Sequence, residues 1–326
     1  MLSIFRTNHI LTSILLIFYI LLLWGSLFMV PSEWLPEATG IFTNDVWGWL
    51  SENNWLNRGV AIFLLLFNAT ILNYIVSEHR IEYETTLFPG LFYILVSSAI
   101  PDFLHLSPIL MANTFLIFAL FNLVKTYKNN NCASLIFDIG FWVAVASLFY
   151  FSFAFFTLWG LVCLSVLRAS KLKEWLMIIS GFLLPYLLIG TYFFWFDQFG
   201  EFWTQQVSQN LSFLSFNGNS DITTTTKLVC FSLLILFALG SAGMYNFKKN
   251  IQIQKKITVL YWLLFFAGIT VLFQTNVTIA HFQIIAVPIG IFLAMSFSNM
   301  TSRWAESFHF LLLVLILALQ FKNILI

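Results

Sequence analysis

Charge is what this sequence has least of. Asp, Glu, Lys and Arg make up 9% of its 326 residues, whereas a surface that faces water needs roughly a quarter of them charged. Hydrophobic residues reach 60%, so a soluble globule is excluded and the bilayer must be the solvent. Neither sign dominates: 15 basic against 14 acidic side chains leave a formal charge of +1, a balance that by itself says nothing about acidic partners, and no nucleic-acid partner is expected. Cysteine is scarce and scattered. Cys132, Cys163 and Cys230 form no C-x-x-C and have no His at ligand spacing, which argues against a disulfide framework and against a metal site. There is no phosphate-cradling glycine loop and no internal repeat, and no cofactor is expected. The first apolar run, Ile10 to Val30, runs into Pro31-Ser-Glu-Trp without an A-x-A cleavage pattern and reads as an uncleaved helix.

Long apolar runs are what the sequence does have. They fall at about 10–30, 59–77, 86–101, 107–124, 134–149, 151–167, 175–196, 227–246, 257–274, 281–298 and 307–324, and most are long enough to span. The expected fold is an all-α, polytopic transmembrane bundle of about eleven helices in one domain, residues 1–326. Its outer loops would be 31–58 and 197–226, and an interfacial helix would lie in the first of them. Lys and Arg hold loops in the cytoplasm. A cytoplasmic N-terminus then puts Arg6, Arg80, Lys125, Lys128, Arg168, Lys171, Lys173, Lys248, Lys249, Lys255, Lys256 and Arg303 inside, with only Arg58, Lys227 and Lys322 outside. Fusing 134–167 into one helix would invert every later loop, so a break near Tyr150 and Ser152 is expected. Trp34, Trp47, Trp49, Trp55, Trp175, Trp195, Trp203 and Trp304 fall near proposed boundaries, where an indole keeps its N–H wet.

Acids gather on the opposite side. Glu33, Glu37, Asp45, Glu52, Asp102, Asp197, Glu201 and Asp221 are all expected outside, with His105 and His281. In the first outer loop, Asp45 or Glu52 could take a proton from an acceptor hydroxyl, and Arg58 could pair with a phosphate at headgroup level, or simply snorkel. Asp102 and His105 are three residues apart in a turn bounded by Pro101 and Pro108, close enough for the carboxylate to orient the imidazole. His281 opens a helix that Pro288 loosens one to two turns later. The loop from Asp197 could be a lid or an inert interfacial helix. Asp138 is expected in the first turn of its helix, where a dipole or capping duty suits it.

Leu87-Phe-Pro-Gly-Leu-Phe-Tyr-Ile-Leu-Val-Ser-Ser-Ala-Ile-Pro-Asp, Leu106 to Asn113, Phe137 to Phe151 and Arg168 to Trp175 resemble a multi-pass inner-membrane family of Bacteroidota, which implies location and topology rather than an activity. The chain also resembles the GT-C superfamily of membrane glycosyltransferases, which act on polyprenyl-phosphate sugars at the outer face. That resemblance implies a catalytic acid in the first outer loop, matched by Asp45 or Glu52, and a late helix opening as His281-Phe282 and Pro288 do. It departs from the pattern in having Val46 after Asp45 and no large outer domain. Three functions stay open: such a transferase, binding membrane lipids and a polyprenyl-phosphate carrier; a non-catalytic subunit of a cell-envelope assembly with protein partners; and a transporter. For the last, only Pro89, Pro185 and Pro288 break helices, without a matching repeat.

Overall fold

The computed structural model describes residues 2–7, 9–28, 40–43, 54–82, 84–210, 222–243, 249–273 and 278–325. A helix occupies each of the expected apolar runs: α1 (Ile10–Leu23), α2 (Asn54–Glu78), α3 (Phe88–Ser97), α4 (Pro108–Lys125), α5 (Ala133–Phe149), α6 (Phe156–Leu167), α7 (Leu172–Trp195), α8 (Ile222–Gly240), α9 (Ile251–Leu272), α10 (Ala286–Ser298) and α11 (Ser302–Leu325). Among the described residues there is no strand. Trp55–Glu78, Pro108–Lys125, Leu172–Trp195, Ile279–Ser298 and Ser302–Phe321 are long and apolar enough to cross a membrane. This is a helical membrane protein.

The helices start and stop for local reasons. Pro108 opens α4, where it removes no needed N–H, and Ser107 Oγ accepts from Leu110 N at 3.0 Å to cap it. Tyr150 is extended and ends α5, and a 3₁₀ turn, Phe151–Phe155, leads into α6. The expected break is therefore present, and it turns the chain back. Arg168, just past α6, donates to Asn129 O at 2.9 Å and contacts Cys132, just before α5, so α5 and α6 form a hairpin.

α3 is shorter than its apolar run. Its ten residues, all buried, rise about 15 Å, half of the hydrocarbon thickness. Irregular backbone beyond it is tolerated because protein rather than lipid meets it: Ser98 is bonded by Trp24 and Gln320, and Asp102 by Lys227. α10 is buried from Ala286 to Phe297, and Gly290 lets it approach the backbone of Tyr93. α5 and α7 meet through Gly140 and Gly181, each set against a backbone carbonyl of the other helix, the close approach that small residues permit in membrane bundles. On the periphery, Trp55, Trp175, Trp195, Trp203 and Trp304 are exposed, while Trp24 and Trp159 are fully buried.

Alternate connections gather at opposite ends of the bundle. At one end Arg6 pairs with Glu84, Lys249 with Glu82 and Arg168 with Glu174, while Lys256 donates to His79 O and Lys255 to Leu167 O. The other end joins Trp24 to Ser98, Asp102 to Lys227, Ser107 to Gln283 and Ile41 to Gln206. Asp138 lies in the second turn of α5 rather than the first, so it does not cap that helix.

Candidate functional site

The chain leaving α3 turns at Pro101, and the 3₁₀ turn Pro101–Phe103 presents Asp102 toward the first turns of α8. Lys227 Nζ lies 2.7 Å from Asp102 Oδ2, the two side chains being 21% and 38% exposed. Such a half-wet pair stabilises by about 1 kcal/mol or less and can exchange partners. Asp102 was expected to orient His105; its carboxylate pairs with Lys227, and its charge also acts on the imidazole. Burial pushes His105 down to about 4 against the opposing pull of Asp102, so the ring is neutral near pH 7.

Below this pair a cavity of about 270 Å³ opens between α8 and α11, with Ala99 and Ile100 closing it from the α3 side. Phe231, Phe237, Leu312 and Ile316 are among its walls, which are apolar almost throughout. Lys227 stands one turn before Phe231 on α8 and Asp102 two residues after Ile100, so the ion pair adjoins the cavity along the chain without lining it. Trp24 Nε1 donates to Ser98 Oγ at 2.9 Å and Gln320 Nε2 to Ser98 O at 2.7 Å, tying α1, α3 and α11 together beside the cavity.

A second polar group flanks the first through an aromatic contact: Phe231 meets Phe103 at 5.6 Å and Phe282 at 6.4 Å between ring centroids. His281 is 5% exposed. Its Nδ1 lies 2.9 Å from Thr278 N, in a reciprocal cap of the Ile279–Ile285 turn, and its ring is 5.6 Å from that of Tyr150. Gln283, wholly buried, accepts from Ser107 Oγ at 2.7 Å through its side chain and from Asn113 Nδ2 at 3.1 Å through its carbonyl. His281 Nε2, Gln283 Nε2 and Asn113 Oδ1 are buried without a hydrogen-bond partner among the described residues, leaving two ring or amide nitrogens and one oxygen for water or ligand atoms.

The other expected site residues are placed less centrally. Arg58 is half-buried on α2 and lies 5.7 Å from the centre of the Trp55 ring, an anchor-like setting; neither it nor His281 lines the cavity. Asp45 and Glu52 lie outside the described residues, as does most of the expected interfacial helix. The chain preceding them is pinned: Thr43 Oγ1 donates to Phe149 O at 2.7 Å and Gly40 N to the same oxygen at 3.1 Å. The expected lid region is pinned as well, since buried Gln206 donates to Ser147 O at 2.8 Å and accepts from Ile41 N at 2.8 Å.

Lys227, Gln283, Asn113 and Gln206 were missed by the sequence reading. Lys227 had a signal, being one of three bases on the unexpected side of the charge distribution. Asn113 and Gln283 had a fainter one, as amides inside apolar runs. Among the described residues no group of three His, Cys, Asp or Glu side chains could hold a metal ion. Comparison with protein-family models, curated proteins and solved structures finds no match for this chain.

Proposed function

We propose that this protein is a GT-C-like transferase of the bacterial inner membrane that acts on a polyprenyl-phosphate-linked sugar at the outer face. In this reading all eleven helices cross, the N-terminus is cytoplasmic and the end carrying Asp102 and Lys227 is outer. The observation that carries it is an apolar cavity, open between two helices, with a lysine one turn before its lining residue Phe231 on α8. The cavity takes the isoprene units next to the headgroup, the rest of the chain lying in the bilayer, and the phosphate takes Lys227 in exchange for Asp102. The released carboxylate, with neutral His105 beside it, accepts the proton of the acceptor hydroxyl, a role that Asp45 or Glu52 fills in the first outer loop if the acceptor enters there. The acceptor oxygen bonds to the anomeric carbon while the bond from that carbon to the phosphate oxygen breaks, and Lys227 stabilises the charge left on the lipid phosphate.

The test is retention of polyprenyl phosphate by the purified protein, read by native mass spectrometry. Leu312→Trp, which narrows the cavity, and Lys227→Met, which removes the charge facing the headgroup, should each lower retention about tenfold or more. Strains carrying either variant at normal abundance should show a cell-envelope glycan defect. Undiminished retention in Leu312→Trp would remove the lipid site. Retention lost without any glycan defect would favour the non-catalytic envelope subunit.

A further inference from the structure

The basic end of the bundle holds a second cavity, of about 190 Å³, where the end of α2 meets the end of α4 and the first two turns of α9. Its lining includes Glu78, His79, Arg80, Lys125, Tyr127 and Lys256. Three basic side chains thus face one carboxylate, a surplus of two positive charges when Lys256 is protonated. The neighbouring acids are engaged elsewhere: Glu82 holds Lys249, Glu84 holds Arg6 and Glu174 holds Arg168. Arg80, Lys125 and Lys256 have no carboxylate partner among the described residues.

Lys256 carries the argument furthest. Its residue is 3% exposed, and its ammonium donates to His79 O at 2.8 Å. A neutral carbonyl does not supply the counter-charge that a buried ammonium needs. Beside it, His79 Nε2 is buried without a hydrogen-bond partner among the described residues. Arg80 is held where α2 ends, at φ 47°, with Ile81 N bonded back to Val76 O; this left-handed turn fixes the residue at the rim. Lys125, at the end of α4, lies 5.3 Å from the Phe121 ring centre and keeps its ammonium exposed. The volume is many times the roughly 10–15 Å³ that one water needs.

We infer that this cavity is a phosphate-binding site, taking a dianionic phosphate monoester whose two charges match the surplus in the lining. A phosphomonoester lipid headgroup and a soluble phosphate share this chemistry, and the cavity's place at an end of the bundle is open to both. The site is independent of the cleft at the other end and does not rest on the transferase reading.

The full chain, purified in detergent, is titrated with inorganic phosphate by calorimetry. In parallel it is reconstituted in nanodiscs of phosphatidylcholine with and without phosphatidic acid, and bound lipid is counted by native mass spectrometry. Saturable phosphate binding assigns the soluble source; selective retention of phosphatidic acid alone assigns the headgroup. Either supports the site provided that Lys125→Gln or Arg80→Gln weakens it about tenfold, as loss of one charge-assisted contact predicts, while Lys128→Gln, an exposed lysine outside the lining, does not. All three changes are at exposed side chains, so folding is preserved. No saturable binding of either probe, or an equal loss in Lys128→Gln, overturns the proposal.

Discussion

Glu82 and Lys249 are 6% and 1% exposed and 2.9 Å apart. Each supplies the charge that makes the other tolerable, so removing one leaves a buried ion alone. Lys249→Met and Glu82→Leu should each lower stability by about 3–5 kcal/mol, and the double variant should recover most of it; thermal unfolding in detergent measures this, and additive losses would show the pair is not coupled. The histidines give a pH signature. Burial holds His105 down to about 4, and burial together with Lys256 and Lys125 holds His79 there also, whereas an unfolded histidine titrates near 6.5. Between those values the unfolded chain binds more protons, so stability is full above about pH 6.5 and falls as pH drops toward 4. His105→Gln should flatten that slope by about 1–2 kcal/mol over the interval; an unchanged slope would mean that carboxylate protonation alone sets it. At this scale the sequence was partly legible. Asp102 stood out as an acid between two prolines, but its partner Lys227 is 125 residues away, a distance that local spacing does not encode. His281 was found, yet as a mouth residue, because a sequence does not distinguish a histidine facing water from one under a tyrosine ring.

Helix positions were readable because each is an apolar run, and a run must be satisfied internally wherever it lies in a bilayer. Their lengths were less so. α3 and its irregular continuation have the hydropathy of one full span, since burial against protein and burial in lipid ask for the same residues. Packing between helices was also hidden: Gly140 and Gly181 carry no sign in the sequence of which glycine meets a neighbour. A side chain at either would strike a carbonyl of the opposing helix, Ile178 O or Phe137 O, whereas nothing lies within 4 Å of a Cβ added at Gly268. Gly140→Val and Gly181→Val should therefore destabilise by about 2–3 kcal/mol or more, and Gly268→Ala should not. Size-exclusion profiles and melting temperatures of the purified variants decide it; Gly140→Val behaving like Gly268→Ala would mean that α5 and α7 do not touch as closely as described.

Across the whole molecule the charge pattern and the contacts make the same division by unrelated routes. Loops assigned to one side because they carry Lys and Arg touch one another, through Glu82–Lys249, Arg6–Glu84, Lys256–His79 and Lys255–Leu167, and the acid-bearing loops touch at the far end through Asp102–Lys227. The sensitive element is the α5–α6 hairpin, because only a reversal between Phe149 and Phe156 returns Arg168 to Asn129. If the hairpin crosses and recrosses, its two ends lie on opposite sides of the membrane. Asn130, exposed at the basic end, and Ala154, half-exposed in the turn, report on the two sides, while Ser152 is too buried to serve. In a background with Cys132, Cys163 and Cys230 replaced by serine or alanine, Ala154→Cys should react with an impermeant maleimide in intact cells. Asn130→Cys should react only after the membrane is opened. Labelling of both before opening, or of neither until after it, would place the two ends of the hairpin on one side, end the eleven-crossing reading, and move the Asp102–Lys227 cleft away from the outer face on which the proposed transfer depends.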